Sequence, residues 1–496
     1  MTKMKALYPI LIGLLLFGLN TQKSIGQEIL YEKTFGDSGT EEAYEVLETS
    51  DGGLLLLGGS DTDSEGFADI YVIKTDANGE EEWTLKHGGA DTEIPRSGIE
   101  LPDGSFIIVG FSGSFSTPVS RDVYYIRVDA SGNILWTQST GGTGSDEGTG
   151  IAPTSDGGFM LCGFSESLAT GFNDGWLVKI DADGVAATPT LIGGDDNDQL
   201  WDIQATADGG FIATGVTYSY DDPAEGDLWL VKLDATGTPE WEKTFGTPDM
   251  GDQGWEVTTV EDGYVAVGIT NRDPLQQAIL TSDGYFLKVD LMGNLVWDQT
   301  IVATNRLELR GIATTADDGF IVSGQRIEDN LANPPFFLVT KTDANGNVIW
   351  TKNLGELGAV NRSFDVIEAT NGDYVAVGYS GYTQAALPDL YLVRIAGPSI
   401  ENPSSITSIE GVQPATFSIY PNPSSGPTTI QWNASEVNLS HLVIRSISGQ
   451  IVGRYGAKDA DSGLLNMQLE HAGFYLVEGL DDNGSSLGVS KLLITQ

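Results

Sequence analysis

The chain is 496 residues long and carries 25 Lys and Arg against 70 Asp and Glu, a formal net charge of −45. A surface this negative repels nucleic acid and anionic membranes, arguing against both as partners, and suits divalent cations, basic partners or a saline exterior. Cys162 is the lone cysteine, so no intrachain disulfide forms, and it stands in a strand column of small and medium side chains that reads as packing.

Residues 1–26 read as a secretory signal peptide. Lys3 and Lys5 give the positive region, Ala6–Leu19 the apolar stretch, and Ser24-Ile25-Gly26 the small residues of a cleavage site. The apolar run is too short to be kept as a membrane span. The mature chain is expected to start near Gln27, with no transmembrane segment and no N-terminal cysteine for lipid attachment.

From there one block recurs seven times, as in TSDGGLLLLGGS at 49–60, LPDGSFIIVGFS at 101–112 and TNGDYVAVGYS at 370–380. Its marker glycines are Gly52, Gly104, Gly157, Gly209, Gly263, Gly319 and Gly372, spaced by 52, 53, 52, 54, 56 and 53 residues. A period near 50 is the length of a four-stranded blade, so residues 27–396 are expected to form a seven-bladed β-propeller. Each copy offers an aromatic-led strand, as at Trp83, Trp136, Trp241, Trp297 and Trp350, which is degenerate at Thr188 in the fourth copy. A second strand centres on Val46, Ile99, Ile151, Ile203, Val257, Ile312 and Val366; the strand after the DGG turn and a last strand such as IYVIKTD at 70–76 follow. Because the aromatic-led strand also precedes the first copy, residues 28–35 are expected to complete the final blade and remove an open sheet edge.

Charges recur in register. The last strand always carries a base (Lys74, Arg127, Lys179, Lys232, Lys288, Lys341, Arg394), usually followed two residues later by an Asp on the same strand face. Such regularity points to ion pairs linking strands or neighbouring blades. The turns DANG at 76–79, DASG at 129–132 and DADG at 181–184 look like the start of a calcium loop but lack its later ligands, so hairpin turns are expected.

Candidate sites lie where the repeat fails. The loop at 218–227 joins Tyr218 and Tyr220 to Asp221 and Asp222, a set that suits sugar or Ca²⁺, the one cofactor these features suggest. The sixth copy carries Arg306, Arg310 and Arg326, guanidiniums suited to a carboxylate or sulfate on a glycan. With only three histidines, no Ser-His-Asp or histidine metal site is expected, and no catalytic residue is assigned. A non-catalytic glycan, protein or calcium binder is the expectation. The alternative is a propeller glycoside hydrolase or polysaccharide lyase with a carboxylate pair at one channel mouth.

Residues 397–416 read as a linker, and short alternating strands from Phe417 indicate a small Ig-like β-sandwich. Tyr420-Pro421-Asn422-Pro423 with Gly426, the Ser448-Gly449-Gln450 turn, Gly473-Phe474-Tyr475 and Lys491-Leu492-Leu493-Ile494 resemble the type A C-terminal sorting domain of type IX secretion cargo in Bacteroidetes. Pro421, Asn422, Pro423, Gly449 and Gly473 carry the sorting motif. The resemblance, over 417–496, implies Sec export, passage through the type IX machinery as partner, and an extracellular or outer-membrane-surface location. The DANGNVIW string at 343–350 resembles the tryptophan-docking motif of quinoprotein propellers, but adjacent cysteines are lacking and no quinone is expected.

Overall fold

A computed structural model describes residues 28–397 apart from short stretches (65, 116–119, 170–171, 221–224, 249, 273–281, 304–305, 328–334 and 384–385), and beyond them 417–420, 428–432, 440–446, 451–456, 464–467, 473–480 and 486–494. Seven four-stranded antiparallel sheets follow one another along the chain, the blades of a β-propeller. Blades 1 to 6 span residues 41–87, 93–140, 146–192, 198–245, 251–301 and 306–354. Blade 7 takes three strands from 360–395 and its outermost strand from Ile29–Phe35. That N-terminal strand pairs with the last one, Ile29 opposite Ile395 and Phe35 opposite Leu390, as expected. Head and tail of the propeller thus share one sheet, and no outer edge is left at the seam.

The second and third strands of each blade are apolar on both faces because each is covered by the neighbouring blades. Phe106–Ser112 and Phe211–Thr217, for example, are buried throughout. Aromatic-led outer strands are packed on one face only and alternate instead, as Glu81–His87 does. Core clusters therefore sit between blades. Met160, Cys162 and Leu177 of blade 3 pack on Leu200, Ile203 and Trp229 of blade 4. Burial pushes the Cys162 thiol well up, which leaves it an inert packing group.

The recurring charges are structural. All seven bases reach back to the acid of their own blade's second turn: Lys74–Asp51 3.0 Å, Arg127–Asp103 2.8 Å, Lys179–Asp156 2.5 Å, Lys232–Asp208 2.9 Å, Lys288–Asp262 2.7 Å, Lys341–Asp317 2.9 Å and Arg394–Asp373 2.9 Å. The Asp two residues after the base is otherwise engaged. Asp76 Oδ1 accepts the backbone N–H groups of Asn78 and Glu80, each at 2.8 Å, and Asp129, Asp181, Asp234, Asp290 and Asp343 repeat this turn. In five outer strands the leading aromatic lies under the glycine of the next blade's turn: Tyr31 under Gly79, Trp83 under Gly132, Trp136 under Gly184, Trp241 under Gly293 and Trp297 under Gly346. Trp83 Nε1 also donates to Ala130 O at 3.0 Å. Blade 3 keeps only three residues of that strand, Thr190–Ile192, and Met160 takes the place under Gly237.

Two marker glycines are out of register. In the DGG turns, Gly52, Gly104, Gly157, Gly209 and Gly372 all have positive φ. In blade 6 that position is Asp318, at φ 64°, and Gly319 follows it; in blade 5 the hairpin is shorter, Val260 pairing directly with Gly263.

Described by itself, the C-terminal region holds two antiparallel sheets. One has three strands (Phe417–Tyr420, Thr428–Trp432, Leu464–Met467) and one four (Ile451–Gly456, His441–Ser446, Gly473–Leu480, Ser486–Ile494).

Candidate functional site in the central channel

The first strand of every blade is innermost, and each contains a β-bulge at one register: between Ala43 and Glu45, Pro95 and Ser97, Gly148 and Gly150, Leu200 and Asp202, Gly254 and Glu256, Leu309 and Gly311, and Ser363 and Asp365. A bulge sets two successive residues against one partner and re-aims their side chains. The unpaired residues are Tyr44, Arg96, Thr149, Trp201, Trp255, Arg310 and Phe364, and all seven line a cavity of about 140 Å³ on the propeller axis.

These side chains contact one another around the ring. Trp201 and Trp255 lie 5.1 Å apart between ring centroids, and the Arg310 guanidinium sits 4.0 Å from the Trp255 centroid and 5.3 Å from that of Phe364. Phe364 meets Tyr44 at 5.3 Å, and Arg96 lies 5.0 Å from the Tyr44 ring. Two residues earlier on the same strands stand Glu42, Glu147, Glu308 and Arg362. Glu308 is shared by Arg310, at 3.0 Å, and by Arg306; Glu147 is shared by Arg121, at 2.7 Å, and by Arg96, at 3.8 Å. Burial works to raise the Glu308 carboxyl, but Arg310 and Arg306 outweigh it and hold it at about 2. Glu42, by contrast, is raised by burial. Glu147 and Glu308 thus each face two guanidiniums, and this end of the channel gathers arginines on an otherwise anionic protein.

One residue deeper stand Glu45, Asp202, Glu256 and Asp365, and these tie blades together. Asp365 Oδ2 accepts Val46 N–H of blade 1 at 2.9 Å, Asp202 Oδ2 accepts Val257 N–H of blade 5 at 3.0 Å, and Glu256 Oε2 accepts Ile312 N–H of blade 6 at 3.0 Å. Ser97 Oγ donates to Glu45 Oε1 at 3.2 Å, and Thr149 Oγ1 to Leu200 O at 2.9 Å. Burial pushes Asp202 and Asp365 up to about 6 against these hydrogen bonds, and it pushes Glu45 and Glu256 well above the usual carboxylate range, with Asp365 and Asp202 adding to it.

The residues singled out from sequence divide between places. Arg310 lines the channel and Arg306 shares its Glu308 partner. Arg326 pairs with Leu307 across the blade 6 sheet. Tyr220 is elsewhere, on blade 4, where its hydroxyl donates to Gly193 O at 3.1 Å and its ring sits 6.3 Å from Trp229 beside Glu242, in a cavity of about 500 Å³. Tyr218 packs on Gly226 in the same blade. Asp221 and Asp222 lie outside the described residues, as do Pro421, Asn422, Pro423 and Gly449; Gly473 opens a C-terminal strand. Among the described residues no three His, Cys, Asp or Glu side chains come close enough to share a metal ion. No described helix is long and apolar enough to cross a membrane. The bulge ring itself escaped the sequence reading, although its signal was there. Two residues before Val46, Ile151, Ile203, Val257, Ile312 and Val366 stand Tyr44, Thr149, Trp201, Trp255, Arg310 and Phe364.

Residues 418–495 match the secretion system C-terminal sorting domain. The C-terminal region is a type IX sorting domain. The chain is accordingly cargo of that system, exported to the cell surface or the extracellular space. No curated protein matches the sequence. Among solved structures, the WD40 domain of Neurospora crassa Pan2 is similar at 13% identity and TM-score 0.47, over 76% of this chain and 96% of that one. A protein of unknown function from Dyadobacter fermentans aligns at 9% and 0.44, over 75% and 99%. PorZ, a surface component of the type IX secretion system of Porphyromonas gingivalis, aligns at 10% and 0.32, over 90% and 69%.

Proposed function

We propose that the propeller is a non-catalytic binding module that takes an extracellular glycan or protein ligand at the mouth of its central channel, with the sorting domain engaging the type IX machinery to deliver it. One observation carries the reading. The seven bulge positions hold five residue types, Tyr, Arg, Thr, Trp and Phe, around a cavity, while the base-to-turn ion pair keeps one chemistry in every blade. Variation concentrated on one lining is what recognition requires of a repeat scaffold.

The channel carboxylates argue against hydrolysis. A glycosidase needs two carboxyls roughly 5–9.5 Å apart and free to reach the scissile bond. Here Asp202, Glu256 and Asp365 already accept backbone N–H groups from neighbouring blades. The test is a screen of the full chain against extracellular polysaccharides and proteins, with product analysis of each polysaccharide. Binding without new chain ends is the expected result; degradation of any polysaccharide would overturn the non-catalytic reading. In a host with type IX secretion, the chain lacking 417–496 is expected to stay inside the cell.

A further inference from the structure

At this end of the channel, buried donors without a hydrogen-bond partner outnumber the buried acceptors without one, Glu45 Oε2 and Gln325 Oε1, among the described residues. Four buried donor atoms at this end have no hydrogen-bond partner among the described residues: the indole N–H groups of Trp201 and Trp255 and the Nε–H groups of Arg96 and Arg362. The last belongs to a guanidinium 6.0 Å from the Tyr379 ring, on the same inner strand as Phe364. A buried donor left unmade is costly, and four around one small opening call for a ligand rich in acceptors. Glu147 and Glu308 are already divided among Arg96, Arg121, Arg306 and Arg310, and Asp202, Glu256 and Asp365 are taken up by backbone N–H groups, so an anionic ligand is the acceptor that would complement the guanidiniums. The Trp201 and Trp255 rings meet at 5.1 Å with Arg310 over Trp255, and the indole surface they leave suits the C–H groups of a sugar ring. At about 140 Å³ the cavity falls below the ~300–1,000 Å³ of sites for drug-sized ligands, and it fits one terminal unit rather than a chain.

We infer that the channel mouth recognises an anionic sugar unit at the end of a glycan, with its carboxylate or sulfate against Arg96, Arg310 and Arg362 and its ring against Trp201 and Trp255. The assignment rests on the binding reading above and sharpens it. The −45 net charge makes the selectivity local, because an extended polyanion is repelled by the rest of the surface and only a terminal group reaching the guanidiniums is attracted.

The experiment is calorimetric titration of the full chain, followed also by tryptophan fluorescence, with tetragalacturonate, a sulfated tetrasaccharide and the neutral cellotetraose. One or both anionic probes are expected to bind at least tenfold more tightly than the neutral one. The two anionic arms tell carboxylate from sulfate. Arg362→Gln removes a guanidinium whose Nε has no partner, so its unfolding temperature is expected to be unchanged while anionic-probe affinity falls at least tenfold; Arg96→Gln, which also gives up the Glu147 pair and the Tyr44 contact, is expected to show the same affinity loss with a lower unfolding temperature. No binding by either anionic probe, affinity equal to that of cellotetraose, or binding indifferent to both substitutions overturns the inference. If instead a peptide with a free C-terminal carboxylate binds in an Arg362-dependent way and the sugars do not, the inference fails while the binding reading stands. Cleavage of a bound probe overturns the non-catalytic reading and leaves the anionic-sugar site in place.

Discussion

Two columns of side chains run around this propeller and behave in opposite ways. The outer one repeats the same Lys or Arg to the same turn acid in all seven blades, and Lys74, Lys232 and Lys341 are 4%, 3% and 3% exposed while their Asp partners stay in water. The channel column runs Tyr44, Arg96, Thr149, Trp201, Trp255, Arg310, Phe364, with donors left over. Sevenfold regularity marks what every blade needs in order to fold, and broken regularity marks what only one site needs. Perturbing the outer column and the seam is therefore expected to cost stability and leave binding alone, and perturbing the channel to do the reverse.

The seam gives the largest effect. Removing 28–35 strips the outer strand from blade 7 and exposes Leu390–Ile395 as an edge, together with the core that Tyr31 and Phe35 help cover. Six register pairs at ~0.5–1.5 kcal/mol per hydrogen bond, plus the lost burial, put the loss on the order of 5 kcal/mol or more. An unchanged urea midpoint would break the idea that closure holds the ring. Next comes Lys232→Ala, which empties a nearly buried position that donates to Leu233 O and pairs with Asp208 and Glu240. Because both acids are about half exposed and rehydrate, the loss is expected near ~2 kcal/mol, below the 3–5 kcal/mol of a fully buried broken pair.

The two columns also titrate with opposite signs. Asp208 is held at about 2 by the Thr206 hydroxyl and then by Lys232 and the Gly210 N–H, so its contribution is present above the unfolded carboxyl pKa near ~4 and is lost as pH falls toward 2. Asp202 and Asp365 are raised to about 6 by burial, and burial also raises Glu256 well above the usual carboxylate range. A carboxyl that folding raises keeps its proton more tightly in the folded chain, so this contribution is present below ~4 and is lost as pH climbs through 6 and beyond. Stability is expected to peak near pH ~4–5 and decline toward pH 8. Glu256→Gln keeps an acceptor for Ile312 N–H and deletes the buried charge, which predicts a gain of ~1–2 kcal/mol at pH 8 and none at pH 5. Equal effects at both values would show that the Glu256 charge is solvated.

How much of this the sequence disclosed follows from the period of each feature. The blade count, the seam at 28–35 and the structural nature of the Asp-x-x-Gly turns were legible, because each rests on recurrence along the chain or on local turn chemistry. Partner choice was less so. Lys74 and Asp76 stand in register on one strand, yet the lysine reaches back to Asp51 because Asp76 is already occupied by its own turn. The channel was hidden for a geometric reason. Strict strand alternation puts Tyr44 and Glu45 on opposite faces, and only the bulge directs both toward the axis. Of the arginines singled out, Arg310 reached the site, while Arg96 and Arg362 went unnoticed because neither lies beside another Arg in sequence.

The smallest expected difference compares tryptophans of the two columns. Trp83 on the rim donates its indole N–H to Ala130 O at 3.0 Å across a blade boundary, while Trp255 in the channel has the same group buried and unpartnered. Trp→Phe deletes the indole N–H and some ring area at both. At Trp83 the lost bond adds ~0.5–1 kcal/mol to the packing loss; at Trp255 the deletion removes an unsatisfied donor, which offsets packing. Trp83→Phe is therefore expected to lower the unfolding midpoint by more than Trp255→Phe, although Trp255 carries the Arg310 guanidinium 4.0 Å from its ring. For anionic-sugar affinity the ranking reverses, since only Trp255 offers its N–H to a ligand. If Trp255→Phe proves the more destabilising and leaves affinity untouched, the channel tryptophans are scaffold like the rest, and the contrast between the two columns collapses at its most discriminating position.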